Sequence, residues 1–159
     1  NMPAKSKMNK PEYLYIKNNQ LGLYKDGEKI VKVIAGKFEN AEGPEKGHNV
    51  EPIYFHVVLE KDKEFKCDVP NEHNSFVYLL AGDLSIGENK HNKTSNSNLI
   101  LLDRGDKLIV KANKKSEFLF IAGKPIGEPI ARGGPFVMNT KAEILEAVQD
   151  YHNGTFAKY

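Results

Sequence analysis

The chain has 159 residues, of which 40% are hydrophobic and 28% charged, and its formal net charge is +2. These totals are typical of one globular domain with its own core, and they exclude a disordered or fibrous protein. The lysines are spread along the chain close to acidic residues, which argues against direct binding of nucleic acid. No apolar run approaches the roughly 18 residues of a membrane span, so we expect no membrane association and no signal peptide.

Cys67 is the only cysteine, so an intrachain disulfide is excluded and a cytosolic or nuclear compartment is expected. It alternates with the charged residues Lys66 and Asp68. This alternation predicts that the thiol packs inward as a small apolar group. Asn1 precedes Met2, so we expect either a piece of a longer protein or a tag residue before the methionine.

Alternating apolar residues predict strands along most of the chain. The predicted strands cover residues 12–16, 21–24, 29–36, 53–60, 64–69, 75–81, 83–87, 99–102, 106–111 and 117–123. The strand at 75–81 is apolar on both faces, which indicates a central, buried position. Gly82 marks a corner, while residues 38–52 and 88–98 are predicted loops, and 113–115 a turn. This spacing favours an all-β barrel or sandwich.

A short helix is predicted near the C-terminus, at about residues 141–152. Thr140 and Glu143 have the spacing of a capping box, and Gly154 is a plausible C-terminal stop. An apolar stripe follows at helical spacing, made of Ile144, Leu145, Val148 and Tyr151. We expect this stripe to dock onto the barrel or onto a partner.

Several segments resemble the C-terminal half of the pirin family, in the same order along the chain. The segments are Val31-Lys-Val-Ile-Ala-Gly36, residues 52–59, His73-Asn-Ser-Phe-Val-Tyr78, Lys124-Pro-Ile-Gly-Glu-Pro129 and Gly133-Gly-Pro-Phe-Val-Met-Asn-Thr140, followed by Asp150-Tyr151 and Gly154-Thr-Phe156. Residues 1–8 resemble the segment that joins the two pirin barrels. The resemblance divides the chain into an arm at 1–11 and a barrel with its closing helix at 12–159.

Pirins are bicupins, so the resemblance implies a cupin-like small β-barrel, or double-sheet jelly roll, with a short C-terminal helix. The family carries a single iron site in its N-terminal barrel, which this chain does not resemble. Some members are associated with quercetin 2,3-dioxygenase activity and others with nuclear transcriptional co-regulation. The implied partners are an N-terminal cupin barrel of the same protein and a transcription factor or another protein.

The cupin metal pattern consists of H-x-H, a glutamate three or four residues later, and a further histidine in a second motif, because imidazoles and a carboxylate together hold iron. Anchored on Gly82, the pattern places the glutamate at Ser75 and the first two histidines at Val69 and Asn71. Anchored on Gly105, it places the last histidine at Ser116. Val69, Asn71 and Ser75 have inward-facing parity, and none of the four positions carries a ligand, so we expect no metal, no cofactor and no catalytic residue in this chain.

The five histidines show no ligand-like spacing. We expect His73 in the turn before the central strand, at the wrong spacing for a metal ligand. We expect His56 to be hydrogen-bonded on a strand and His152 to lie near the C-terminus of the helix. His48 and His91 fall in the two predicted loops. No nucleophile elbow, phosphate-binding loop or dinucleotide fingerprint is present in the sequence.

Three functions remain open. The first is a metal-free second barrel that supports an iron-bearing N-terminal barrel. The second is part of a quercetin 2,3-dioxygenase-type enzyme. The third is an interaction module for a transcriptional regulator, with a candidate surface at Phe136, Val137, Met138 and Ile144.

Overall fold

A computed structural model describes residues 1–46, 49–88, 92–95 and 97–157, with only the backbone of Asn92 and Lys93. The described strands and helix are β1 (Gly22–Lys25), β2 (Lys29–Ala35), β3 (Lys37–Phe38), β4 (Ala41–Glu42), β5 (Ile53–Leu59), β6 (Glu64–Asp68), β7 (Asn74–Ile86), β8 (Asn92–Ser95), β9 (Leu99–Leu102), β10 (Lys107–Gly123), β11 (Ala131–Gly133), β12 (Phe136–Met138) and α1 (Lys141–Asn153). The expectation of an all-β, cupin-like fold with one short C-terminal helix is confirmed.

The chain forms two compact units. The sheet unit covers residues 16–125, and the terminal unit combines residues 1–15 with the chain from Ile126 onward. The predicted boundary after residue 11 stays a prediction. Within the described part of the chain, no helix is long and apolar enough to cross a membrane.

The sheet unit is built on eight strands in the order β1-β2-β5-β10-β7-β8, with β6 paired to β10 and β9 paired to β7. All these pairs are antiparallel. The strand β10 has 17 residues, and it pairs with β6 in its first half and with β5 in its second half. It therefore links both parts of the sheet.

The core lies on the inward face of these strands and is rich in phenylalanine. Fully buried side chains alternate along β5 and β10, as the period of two requires. The aromatic rings are in contact across strands: Phe38 stacks on Phe65 at a centroid distance of 5.2 Å, and Phe65 meets Phe118 edge-on at 5.7 Å. Such pairs add to the burial of apolar area.

Strand β7 turns a corner at Gly82, as the sequence predicts. Gly82 has φ of +115°, and a Cβ built on it would lie 2.6 Å from the Cα of Ser116. Only glycine accommodates both the positive φ and this close approach. The corner brings the two ends of β7 back together, because Ser75 and Ile86 line one cavity.

The face of β7 opposite the core is not buried, which corrects the prediction of a strand buried on both sides. Val77 and Leu79 are fully buried, whereas Leu80 is 39% exposed. Phe76 and Tyr78 on the same outward face are half-buried. Only the inward face packs into the phenylalanine core.

Four predicted segments differ in the structure. Residues 12–16 form no strand, because no neighbouring strand pairs with them, and Tyr13 is 99% exposed. The predicted turn at 113–115 lies inside β10, where register shifts absorb the extra residues. The predicted loop at 38–52 includes residues of the hairpin β3–β4, and the loop at 88–98 contains β8. Both strand pairings are too short to give a sequence period.

The helix α1 begins and ends where the sequence predicts, within one residue. The Thr140 hydroxyl accepts a hydrogen bond from the Glu143 amide at 3.2 Å, and the Glu143 carboxylate accepts from the Thr140 amide at 2.7 Å. The Thr140 amide, and with it the Asn139 amide, donates to the Glu143 carboxylate and lowers the pKa of Glu143. Gly154 closes the helix in the left-handed conformation.

Candidate functional site

The four positions of the cupin metal pattern do not meet in the structure. Val69 is 7% exposed and Ser116 is 2% exposed, but Asn71 is exposed, so its predicted inward orientation is wrong. It lies in the turn before β7, where it has no strand parity. Ser75 begins β7, whereas Ser116 lies beside Gly82 at the far end of that strand's first half. At about 3.3 Å per residue, Ser75 and Ser116 are roughly 20 Å apart.

The hydroxyl of Ser116 is committed to the backbone at the corner. It accepts a hydrogen bond from the Asp83 amide at 3.0 Å and lies 2.7 Å from the Lys114 carbonyl oxygen. The Asn113 side chain donates to the Asp83 carboxylate and to the Ser85 hydroxyl. These contacts fasten the irregular part of β10 to β7, which is a structural role.

The donor set does not fit an iron ion. Valine offers no ligand atom, and serine hydroxyls and an exposed amide are weak donors for a site that elsewhere uses imidazole and carboxylate. Across the described ranges, no group of three or more histidine, cysteine, aspartate or glutamate residues is arranged to hold a metal. The space inside the sheet is filled by the phenylalanine cluster instead.

His73 lies between the turn at residues 71–72 and β7, close to its predicted position, but its side chain is buried. It is only 3% exposed, and neither ring nitrogen has a hydrogen-bond partner among the described residues. The turn that precedes β7 folds back, with the His73 amide donating to the Pro70 carbonyl, and this carries the ring inward. No local period in the sequence reports this burial, because His73 precedes β7 and is not part of the strand.

The other described histidines lie where the sequence predicts. His56 Nε2 is 2.6 Å from Glu117 Oε1, a hydrogen bond between β5 and β10. His152 lies in the last turn of α1, where a protonated imidazole complements the helix dipole. His48 and His91 lie outside the described residues.

Cys67 packs against the core, as the alternation predicts. Burial raises the pKa of its thiol to about 12, and the carboxylate of Asp68 acts in the same direction. At pH 8 roughly one thiol in ten thousand is therefore ionised.

We expect Cys67 to resist modification, because the thiolate is the reactive form. With a disulfide reagent at pH 8, the folded protein should react at least about a hundred times more slowly than the protein in denaturant. The absorbance of the thiolate that the reagent releases, followed over time, measures the reaction rate in each state. Equal rates in the two states would show that the thiol is accessible and ionised.

The candidate interaction residues Phe136, Val137, Met138 and Ile144 are half-buried in the terminal unit. The Phe136 ring contacts Tyr151 and Phe156 at 5.9 Å and 5.2 Å. A Cβ on Gly133 would lie 2.5 Å from Ile144 Cγ2, so α1 packs directly on β11. Their role in binding a partner stays a prediction, since these contacts are internal to the unit.

A different apolar surface was missed by sequence reasoning. Leu80, Leu99 and Leu101 are 39%, 56% and 77% exposed, and they project from the outward face of β7 and β9. By register Leu99 lies beside Tyr78, and Leu101 lies beside Phe76. We call these five residues the outward patch. The sequence of β9 does not predict which of its side chains are exposed, because all four of its residues are apolar and show no alternation.

Comparison with known proteins identifies relatives of this chain. The family model described as the pirin C-terminal cupin domain matches residues 54–157. A pirin-like protein of Caulobacter vibrioides is 33% identical over 158 residues, covering 98% of this chain and 56% of that protein. Pirin of Homo sapiens is 31% identical, covering 96% of this chain and 53% of that protein.

A solved structure agrees with the family match. The crystal structure of quercetin 2,3-dioxygenase from Acinetobacter baumannii superposes with a TM-score of 0.84 at 31% identity, covering 98% of this chain and 54% of that one. The chain thus spans a little over half the length of the relatives described above. It belongs to the pirin family, and its residues 54–157 match the C-terminal cupin domain of that family.

Proposed function

We propose that this chain is a metal-free cupin domain whose function is to support a metal-bearing cupin domain of the pirin type. The observation that carries the proposal is the donor set at the pattern positions. Val69 and Ser116 are buried in roles that the fold requires, in the core and at the Gly82 corner.

The outward patch supports the partner part of the proposal. Exposed leucines clustered beside half-buried aromatic residues are typical of a surface that another protein covers. The relatives are nearly twice as long as this chain, so the other half of a pirin is the partner of the right kind. We propose that this other half covers the outward patch of the present chain. We also propose that the iron site lies in that other half.

Metal analysis tests the first part of the proposal. The purified chain is incubated anaerobically with excess Fe(II), desalted and analysed for iron by mass spectrometry. We expect only trace iron, because no set of imidazole and carboxylate donors converges among the described residues. Retention of nearly one iron per chain would contradict a metal-free role.

A binding experiment tests the second part independently. The part of the Caulobacter vibrioides relative that lies outside the match is produced separately and mixed with this chain. We expect a complex in size-exclusion chromatography that the double variant Leu99→Asp/Leu101→Asp abolishes. Leu23→Asp is the matched control, because Leu23 is 60% exposed on β1. Binding that survives the double variant, or that Leu23→Asp removes equally, would contradict this role for the outward patch.

A second candidate function is favoured by the similarity to a quercetin 2,3-dioxygenase. On this proposal the chain is part of such an enzyme and contributes structure rather than metal ligands. Oxygen consumption with quercetin and Fe(II) tests it. The chain alone should show no turnover above free Fe(II), whereas sustained turnover by the chain alone would show that it holds a complete active site.

A further inference from the structure

A cavity of about 200 Å³ lies between the two ends of β7 and the segment that connects β9 to β10. Val69 and Ser75, two of the positions that carry metal ligands in the cupin pattern, line its wall. The cavity therefore occupies one end of the sheet unit, where the Gly82 corner has brought Ser75 and Ile86 together.

The floor of this cavity is apolar. Val69, Ile86 and Leu108 are 7%, 6% and 4% exposed, and they belong to the hydrophobic core. These side chains offer no hydrogen-bonding atoms. A ligand that fills the cavity must therefore present an apolar body to them.

The rim carries a net positive charge. It contains Arg104, Lys107 and Asp103, whose formal charges sum to +1. Lys107 Nζ lies 4.0 Å from Asp68 Oδ1, so that lysine is partly compensated. Arg104 is exposed, and its guanidinium has no hydrogen bond or ion pair with any residue that the structure describes. It remains available to an external anion.

A polar side chain also lines the wall of the cavity. Ser75, which lines it, is only half-exposed. His73 precedes Ser75 by two residues and does not line the cavity, although both of its ring nitrogens lack partners in the described chain. The carboxylate binding proposed below therefore rests on Ser75 and Arg104, which line the cavity, and not on His73.

We propose that this cavity binds a small organic monocarboxylate with an apolar body. The carboxylate pairs with the Arg104 guanidinium, whose planar fork matches its two oxygens, and it accepts a hydrogen bond from the Ser75 hydroxyl. The apolar body rests on Val69, Ile86 and Leu108. A cavity of roughly 150 Å³ accommodates benzene, so an aromatic acid such as benzoate is of suitable size.

Benzoate titration followed by NMR tests the proposal. The methyl signals of Val69, Ile86 and Leu108, which line the cavity, should shift together and saturate. For a ligand of this size we expect a Kd on the order of 1 mM. Benzyl alcohol and benzylamine have the same ring without the carboxylate, and each should bind at least about tenfold more weakly.

Substitution of arginine separates specific binding from general charge attraction. Arg104 and Arg132 are the only arginines in the chain, and Arg132 lies in the terminal unit. Arg104→Gln should weaken benzoate binding at least about fivefold, whereas Arg132→Gln should leave it unchanged. Both positions are exposed, so neither variant is expected to unfold.

Three results would overturn the proposal. They are shifts that do not saturate, equal binding of benzylamine and benzoate, and unchanged affinity in Arg104→Gln. None of these results bears on whether the outward patch binds another cupin domain, so the two proposals fail separately.

Discussion

Replacement of Gly82 by alanine is expected to destabilise the protein by about 3 kcal/mol or more, which is a large part of the stability of a small domain. Two costs add at this position. The positive φ of +115° is unfavourable for any residue with a Cβ, and the new methyl group would lie 2.6 Å from the Cα of Ser116. Neither β7 nor β10 can move away to make room, because that would break the backbone hydrogen bonds that pair the two strands. Urea denaturation measures the loss.

Gly27 provides the matched control for Gly82. Its φ of +87° is also positive, but nothing lies within 4 Å of a Cβ built there. Gly27→Ala should therefore show the backbone cost alone, about 1 kcal/mol. If the two variants were equally stable, the close approach of Ser116 would not be the reason for glycine at the corner.

Truncation of Phe65 to alanine is expected to cost about 3–5 kcal/mol, because its ring is fully buried between Phe38 and Phe118. Alanine would leave a cavity that the rigid strands cannot collapse to fill. Phe65→Leu retains most of the volume and should cost roughly 1–2 kcal/mol. Thermal and urea denaturation of the unsubstituted protein, Phe65→Ala and Phe65→Leu measure the free energy of unfolding of each.

Leu101 is the control for the core truncation. It is 77% exposed on β9, so Leu101→Ala should change the free energy of unfolding by less than about 0.5 kcal/mol. A comparable loss at Phe65 and Leu101 would be incompatible with a core centred on the phenylalanine cluster. It would indicate instead that the outward patch is buried in solution.

The strands that alternate strongly could be predicted from the sequence, and the irregular ones could not. The inward residues of β5 have a period of two, and the helix has its capping box, so local chemistry was sufficient. The prediction failed for residues 12–16, where tyrosines favour a strand but no partner strand is present in the described chain. It also divided β10 in two, because the polar residues 113–115 resemble a turn although they form a bulged part of one strand.

For the candidate site, the sequence gives the pattern positions but not the contacts around them. Spacing placed Val69, Asn71, Ser75 and Ser116 at the pattern positions, and none of these side chains is a strong iron ligand. The burial of His73 depends on how the turn before β7 folds back. The exposure of the Arg104 guanidinium depends in the same way on the segment after β9. Those are contacts between distant residues, and no local period in the sequence reports them.

The position of β10 has a consequence for the order of folding. In the sheet it lies between β5 and β7, but in the chain it follows both of them. During synthesis the hairpin of β2 with β5 can form early, while the β10 side of β5 has no partner until residues 107–123 leave the ribosome. Pairings between such distant segments are slow to form. The nascent domain therefore passes through a stage with open apolar strand edges, and this is when aggregation or chaperone binding would compete with folding.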